Sequence, residues 1–299
     1  MSDTLLVTGA SGHLGQRVLH HLVNTLNVPA DRIIATTRKP ATLADWAAKG
    51  VTVRATDFDN PASLVAAFEG ASRVLLISTD TIGRRVPQHK AAIDAAVKVG
   101  ADHVIYTSMP WPEKSLVLFA PDHLGTEAAL SASALSGWTV LRNNWYFENL
   151  FLGMPSVLAS GKWFSASGDG RIAYISRDDI ARAAAAALAG TERGKVTYDL
   201  GGAKAITVAE VAALVSRTVG KPIEVVPVTV EALAQGLISH GVPEPMARMI
   251  ASFDANTAAG QLAEVTGDVK ALTGADPQPF EEWLASPSNQ RGLIGKAAA

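Results

Sequence analysis

The chain has no cysteine among its 299 residues. That absence removes disulfides, thiolate metal sites, iron–sulfur clusters and a cysteine nucleophile in one step. No stretch approaches the roughly 18–20 uninterrupted apolar residues of a membrane-spanning helix, so no membrane partner is expected. There is no basic run and no basic–aromatic interleaving, and the formal net charge is -2. This argues against nucleic-acid binding as the main task. His20 and His21 are adjacent rather than i, i+4, and no carboxylate–histidine cluster has ligand spacing, so no metal is expected. The N-terminus shows no basic region followed by an apolar run and a cleavage site. The expectation is a soluble, cytoplasmic protein. Internal repeats and low-complexity linkers are missing too. What is present is a 48% hydrophobic composition, enough to bury a large core.

The first fifteen residues carry the strongest signal. LLVTGASGHLG, from Leu5 to Gly15, is a buried-strand pattern that runs into a glycine turn. An amphipathic helix pattern follows at Leu14, Val18, Leu19, Leu22 and Val23. Strand, turn and helix together form a phosphate cradle. Gly9 permits the tight turn, Gly12 lets backbone N–H groups approach a pyrophosphate, and Gly15 lets the helix pack closely on the strand. Ser11, His13 and Leu14 complete the turn and the helix start, so they join the cofactor-binding set.

Strand and helix patterns then alternate. Strands are predicted at Arg32–Thr37, Val51–Thr56, Arg73–Ser78, His103–Ser108 and Trp138–Arg142. Helices are predicted at 41–49, from Asp59-Asn60-Pro61 to Gly70, at 87–99 and over Asp122–Leu135. This alternation predicts an α/β fold, a Rossmann-type doubly wound parallel sheet with a smaller C-terminal α/β lobe. Beyond Arg142 the pattern loosens. Residues 145–160 read as helical, 161–170 as turn-rich, 177–189 as an alanine-rich helix and Lys195–Leu200 as another sheet strand. A helix (207–219), a strand (223–228) and several short helices follow, and the tail from Gly292 to Ala299 is expected to fray. The domain expectation is a dinucleotide-binding unit over 1–150, to which 172–202 returns. A smaller substrate lobe covers 151–171 and 203–299. Ligands of such sheets bind in the crevice beyond the strand ends.

The second strand ends at Thr36-Thr37-Arg38-Lys39. An NAD site usually places an acid there for the ribose 2′-hydroxyl. Arg38, followed by Lys39, would instead receive a 2′-phosphate through charge-assisted hydrogen bonds. The expected cofactor is NADP, with NADPH preferred over NADH; the bland alternative is a solvated arginine. Asp57 and Phe58 are placed for the adenine ring, and Ser78 and Thr79 for the ribose and pyrophosphate, with ordinary loops as the equal alternative. Thr107 and Ser108 stand where nicotinamide contacts are expected.

These residues resemble the NmrA-like group of atypical short-chain dehydrogenase/reductases, over nearly the whole chain. They are most similar to type-2 NAD(P)H:quinone oxidoreductases and triphenylmethane dye reductases. The resemblance rests on VTGASGHLG (7–15), TTRKPATL (36–43), LLISTDTIGRRVPQHK (75–90), YTS (106–108) and LRNNWYFENL (141–150). SASGDGRIAYISRDDIARAAAAAL (165–188) and YDLGG (198–202) extend it. It implies a monomer or homodimer that takes hydride from NADPH without flavin and passes it to a quinone-like acceptor. NmrA-like proteins also include NADP-sensing regulators without turnover, and ketone or imine reductases share the scaffold.

The usual reductases of this superfamily carry Tyr-x-x-x-Lys on the helix after the fifth strand. Here that helix has His123 and Glu127 at the same i, i+4 spacing. His123 either donates a proton or hydrogen bond to the acceptor or is a polar helix-face residue without a chemical role. Tyr106 is better read as a core tyrosine with a satisfied hydroxyl. Asn143, Asn144, Trp145, Tyr146, Phe147 and Asn149 should reach the crevice, where aromatic walls suit a flat acceptor. The catalytic candidates are His123, Asn143 and Tyr146. Packing alone explains Trp145 and Phe147 equally well.

Overall fold

A computed structural model describes residues 3–295. Its strands are β1 (Leu5–Val7), β2 (Ile33–Thr37), β3 (Thr52–Ala55), β4 (Arg73–Leu76), β5 (His103–Ser108) and β6 (Gly137–Asn143). They continue with β7 (Lys162–Ser165), β8 (Arg171–Ile172), β9 (Lys195–Leu200), β10 (Ile206–Thr207) and β11 (Glu224–Pro227). Seven of them form one parallel sheet in the order β3-β2-β1-β4-β5-β6-β9. The order reverses beside β1, between β2 and β4. That is the switch point at which open α/β sheets bind ligands.

The apolar strand runs divide by alternation between two layers. Leu5, Val7, Leu75, Ile105 and Leu141 face one core. Leu6, Val74, Leu76, Val104, Tyr106 and Val140 face the other. Both faces are buried, so near-continuous hydrophobicity is what each strand needs. Helices α1 (His13–His20), α2 (Ala44–Ala48), α3 (Pro61–Phe68), α4 (Arg85–Lys98), α5 (Ala120–Ser131), α6 (Leu150–Ser160) and α7 (Arg177–Ala189) follow. The Asn60 side chain caps α3 by accepting from the N–H groups of Ala62 and Ser63. The alanine run of α7 lets it settle closely on the sheet beside α1. Buried Arg73 donates to the carbonyls of Ala187, Leu188 and Glu192 and so ties off the end of α7.

The remaining helices are α8 (Val208–Val219), α9 (Val230–Ser239), α10 (Glu244–Ala258), α11 (Asp268–Thr273), α12 (Phe280–Ala285) and α13 (Pro287–Leu293). A third core joins α6, α8 and α12 through Met154, Leu158, Val211, Val215 and Trp283. Among the described residues no helix is long and apolar enough to cross a membrane.

Several sequence expectations need correction. The fourth strand stops at Leu76, not Ser78, because side-chain hydroxyls replace the ladder. Thr8 Oγ1 accepts the Ile77 N–H at 3.0 Å and Thr107 Oγ1 accepts the Ser78 N–H at 2.9 Å. The α5 helix runs from Ala120 to Ser131 rather than Asp122 to Leu135. Residues 145–146 are not helical: Tyr146 is extended and bridges Ile175. Within the turn-rich stretch, Lys162–Ser165 is a strand paired in parallel with β11. The expected fraying at Gly292 is not seen. Leu293 is fully buried and Gly292 packs against the Phe151 ring, where a Cβ would come within 2.8 Å. Residues 296–299 of the tail lie outside the described residues.

Candidate active site

Three glycines shape the β1–α1 turn for three different reasons. Gly9 has φ +57°, a left-handed conformation that favours glycine. A Cβ on Gly15 would lie 2.4 Å from the Gly9 carbonyl oxygen, so helix and turn touch only because that side chain is absent. Gly12 is the N-cap of α1, and a Cβ there would sit 3.3 Å from the same oxygen. Ser11, Gly12 and His13 are exposed and Leu14 is partly so. The first helical N–H groups, from His13, Leu14 and Gly15, have no partner within the helix. The first turn of α1 holds no acid, so an anion meets N–H groups and the positive helix end without repulsion.

Arg38 and Lys39 follow β2, exposed, and neither forms an ion pair among the described residues. Ser11 Oγ and Thr37 Oγ1 are 2.8 Å apart, which pins the end of β2 to the glycine turn. Asp57 and Phe58 sit at the end of β3, but both have local work. Asp57 Oδ1 accepts the Asp59 N–H at 3.0 Å, while Phe58 packs on the core and meets the edge of His89.

The expected contacts at the ends of β4 and β5 are largely spent within the protein. Thr79 donates its hydroxyl proton to Gln88 at 2.8 Å and its N–H to His89 Nε2 at 3.0 Å. Thr107 Oγ1 accepts from Ser78 and donates back to its hydroxyl. The Ser108 hydroxyl donates to Glu127 at 2.6 Å. Buried hydroxyls need such partners, so the side chains of Thr107 and Ser108 organise the strand ends rather than reach outward.

Tyr106 and Ser108 alternate onto one face of β5, and His123 and Glu127 lie one turn apart on α5. Two strand residues advance about 6.6 Å and four helical residues about 6 Å. The pairs therefore match: His123 meets Tyr106, and Glu127 meets Ser108. Glu127 is then held by Arg142, whose Nη2 lies 2.8 Å from Oε2. His123 is 4% exposed. Its Nδ1 is 2.8 Å from the Tyr106 hydroxyl and its Nε2 is 3.2 Å from Arg85 Nη1. Arginine can only donate. Nε2 must therefore accept, and the one imidazole proton sits on Nδ1, facing Tyr106. Burial, with Arg85 and His89 adding to it, lowers the His123 pKa to about 3. A neutral imidazole with both nitrogens occupied is not a general acid near neutral pH. This burial and pairing speak against the proton-donor reading of His123.

The other side of the crevice comes from the end of β6. Asn143 is 8% exposed. Its Nδ2 donates to the Tyr146 hydroxyl at 3.3 Å, whereas its Oδ1 is buried without a partner. A hydroxyl both donates and accepts, so the amide can turn either end toward a ligand. Burial pushes the Tyr146 hydroxyl up to about 12, so it stays protonated. Asn144 is fully engaged, donating to Leu262 and accepting from the Trp145 N–H, and Phe147 is buried in the third core. Neither reaches the crevice.

Trp145 meets Phe253 of α10 at 4.2 Å, and Phe253 meets Phe119 at 5.7 Å. Phe119 in turn meets His123 at 5.7 Å. Trp145, Asn149, Met154, Trp163, Tyr174 and Phe253 help line a cavity of about 170 Å³. A cavity of about 150 Å³ takes one benzene ring.

Arg85, Gln88, His89, Phe119 and Phe253 contact the candidate residues, directly or through one another, and were not singled out by sequence reasoning. One signal was available. Arg85 and His89 repeat on α4 the i, i+4 spacing of His123 and Glu127 on α5.

The NmrA-like family model matches residues 1–284. Quinone oxidoreductase 2 of Escherichia coli is 38% identical over 272 residues, spanning 90% of this chain and 93% of that protein. An Escherichia coli NADPH-dependent quinone oxidoreductase, solved with NADPH, superposes with a TM-score of 0.88 at 35% identity, covering 94% and 98% of the two chains. Citrobacter triphenylmethane reductase with NADP(H) gives 0.86 at 32%, covering 93% and 98%. A family match of this extent, on a parallel sheet with a glycine cradle at its switch point, places this chain in the NmrA-like family.

Proposed function

We propose that this protein is an NADPH-dependent oxidoreductase that reduces a quinone or similar conjugated acceptor without flavin. The observation that carries this reading is that the glycine turn after β1 and the aromatic residues after β6 stand at the same end of one parallel sheet. An acid-free glycine turn flanked by Arg38 and Lys39, which form no ion pair among the described residues, lies along the same strand ends as an aromatic crevice. The likeness to quinone oxidoreductases and a triphenylmethane reductase supports it.

The residues present fit the dinucleotide. Gly9, Gly12 and the N–H groups of His13, Leu14 and Gly15 would hold the pyrophosphate, and Arg38 with Lys39 the 2′-phosphate. The bound cofactor supplies the hydride. The protein supplies position: Asn143 holds a polar atom of the reacting pair, and Trp145, Phe253 and Phe119 flank a flat acceptor.

The test is NADPH oxidation by flavin-free protein against a panel of quinones, dyes and ketones. Turnover with quinones is the expected result. Tight NADPH binding with no acceleration by any acceptor would instead establish an NADP-sensing protein.

A further inference from the structure

We propose that Arg85 is the group that stabilises the negative charge left on the acceptor oxygen by hydride transfer. This inference rests on the reading above. Its starting point is a half-buried guanidinium that forms no ion pair among the described residues. Its placement is fixed from three sides. Nε donates to the Thr79 carbonyl at 2.6 Å. Nη1 donates to His123 Nε2 at 3.2 Å. The guanidinium carbon lies 4.9 Å from the centre of the Phe119 ring. Those contacts use two of the five N–H bonds, which leaves three for a ligand.

The location follows from the same contacts. Thr79 continues from the end of β4, and His123 is anchored to β5 through Tyr106. Phe119 leads through Phe253 to Trp145 along the crevice. Arg85 therefore stands where the sheet end meets the aromatic wall. Asp122 and Asp80 lie near enough to favour its charged form, but neither forms an ion pair with it among the described residues. His89 and His123, its imidazole neighbours, are neutral.

The chemistry calls for such a group. Hydride carries two electrons to the quinone and leaves one oxygen as an anion, while NADPH becomes NADP+. The anion then takes a proton from water. No protein acid is consumed, which agrees with a chain whose crevice histidine cannot donate. A fixed cation in a partly dry site stabilises charge that appears only in the transition state, and that is the contribution that raises kcat. His123 acts here as a positioning residue, because its neutral Nε2 accepts from Arg85 and holds it in place.

The experiment compares wild type with Arg85→Gln and Arg85→Lys in three measurements. Arg85→Gln should lower kcat with a benzoquinone roughly a hundredfold, the scale of losing one fixed donor. Its NADPH Kd should stay within about twofold. Arg85→Lys should recover part of the rate, because charge is kept while the planar fork is lost. In the third measurement 4-nitrophenol is titrated against protein with and without NADP+. The phenol bound to wild type should ionise at least about one pH unit lower than in water, and the shift should vanish in Arg85→Gln. A variant rate within threefold of wild type overturns the proposal. So does a loss of NADPH affinity as large as the loss of kcat, which would make Arg85 a cofactor anchor. If both variants fail to fold, an unshifted phenol on wild type overturns it alone. A wild type that reduces no quinone defeats the proposed function instead, and the phenol titration then still reads Arg85.

Discussion

The Tyr106 hydroxyl and His123 Nδ1 face each other at 2.8 Å between β5 and α5, out of contact with solvent. This pair closes both partners to outside chemistry. Burial raises the Tyr106 pKa above its ordinary value and lowers that of His123 to about 3. The rate with quinones should therefore show no limb near pH 6–7 that belongs to His123. His123→Ala should cost about tenfold in kcat or less, against the 10²–10⁴ typical of a lost general acid. A pH–rate profile of both proteins checks this. A wild-type limb near pH 6–7 that vanishes in the variant, with a loss above a hundredfold, would refute it.

The same neutral histidines predict how stability depends on pH. His89 and His123 have pKa values of about 3 and His103 of about 4, each lowered mainly by burial. In the unfolded chain they protonate near 6.5. Between about pH 6.5 and 4 the unfolded state thus binds protons that the native state refuses. Stability is full above that window and falls as pH drops through it. Each histidine adds a slope of about 1.4 kcal/mol per pH unit. Urea midpoints at pH 7.5 and pH 5 should differ sharply, and equal midpoints would show that these imidazoles titrate normally.

The sheet was legible because its residues obey local rules. Buried strands such as Leu5–Val7 read as apolar runs, and Asn60-Pro61 announced a helix start. The glycine cradle was legible for the same reason, since Gly9 and Gly15 answer to backbone geometry within one turn. The crevice was legible only in part. Asn143 and Asn144 are chemically identical neighbours, yet one carries an orphan oxygen and the other is saturated. That difference depends on which oxygen the backbone turns an N–H toward: the Trp145 N–H reaches Asn144 Oδ1 at 2.7 Å and none reaches Asn143 Oδ1. Arg85 stayed hidden because its meaning comes from His123 and Phe119 on another element. A lone arginine at a helix start reads as solvated.

Arg38 should set cofactor choice. Its guanidinium is exposed and forms no ion pair among the described residues, so Arg38→Asp removes a cation and adds repulsion without breaking an ion pair there. One charge-assisted hydrogen bond is worth about 1.5–3 kcal/mol, or roughly ten- to a hundredfold in affinity. NADPH binding should weaken by at least that factor, with NADH binding changed far less. Equal losses in parallel titrations would remove Arg38 from the 2′-phosphate site.

Two glycine variants should separate folding from binding. Gly15→Ala drives a Cβ into the Gly9 carbonyl at 2.4 Å, a backbone clash that no rotamer relieves. A stability loss of about 1–3 kcal/mol is expected from forced repacking. Gly12 is exposed and a Cβ there meets only one oxygen at 3.3 Å. Gly12→Val should fold but lose nearly all NADPH affinity, because its methyl groups occupy the path of the pyrophosphate. Thermal melts beside binding isotherms distinguish the two, and a Gly12→Val protein that binds NADPH normally would displace the cradle assignment.

Asn143 and Asn144 provide the sharpest comparison, since the same substitution should have opposite consequences at adjacent positions. Asn144 donates to the Leu262 carbonyl at 3.1 Å and accepts the Trp145 N–H at 2.7 Å. Asn144→Leu strands the Trp145 N–H, at about 1–3 kcal/mol, while the Leu262 carbonyl keeps the Ala173 N–H at 2.8 Å. Asn143 Oδ1 already lacks a partner, so Asn143→Leu removes an unsatisfied oxygen along with one long amide bond. The Tyr146 hydroxyl loses its 3.3 Å contact, but Tyr146 is only partly buried and water can replace the amide. Asn143→Leu should therefore melt close to wild type. Its effect should appear in binding: a KM for quinones raised about tenfold, with NADPH affinity close to wild type. If instead NADPH affinity falls with it, the amide serves the nicotinamide carboxamide and not the acceptor. Should Asn143→Leu destabilise the protein as much as Asn144→Leu does, the orphan oxygen is satisfied in solution and Asn143 belongs to the scaffold.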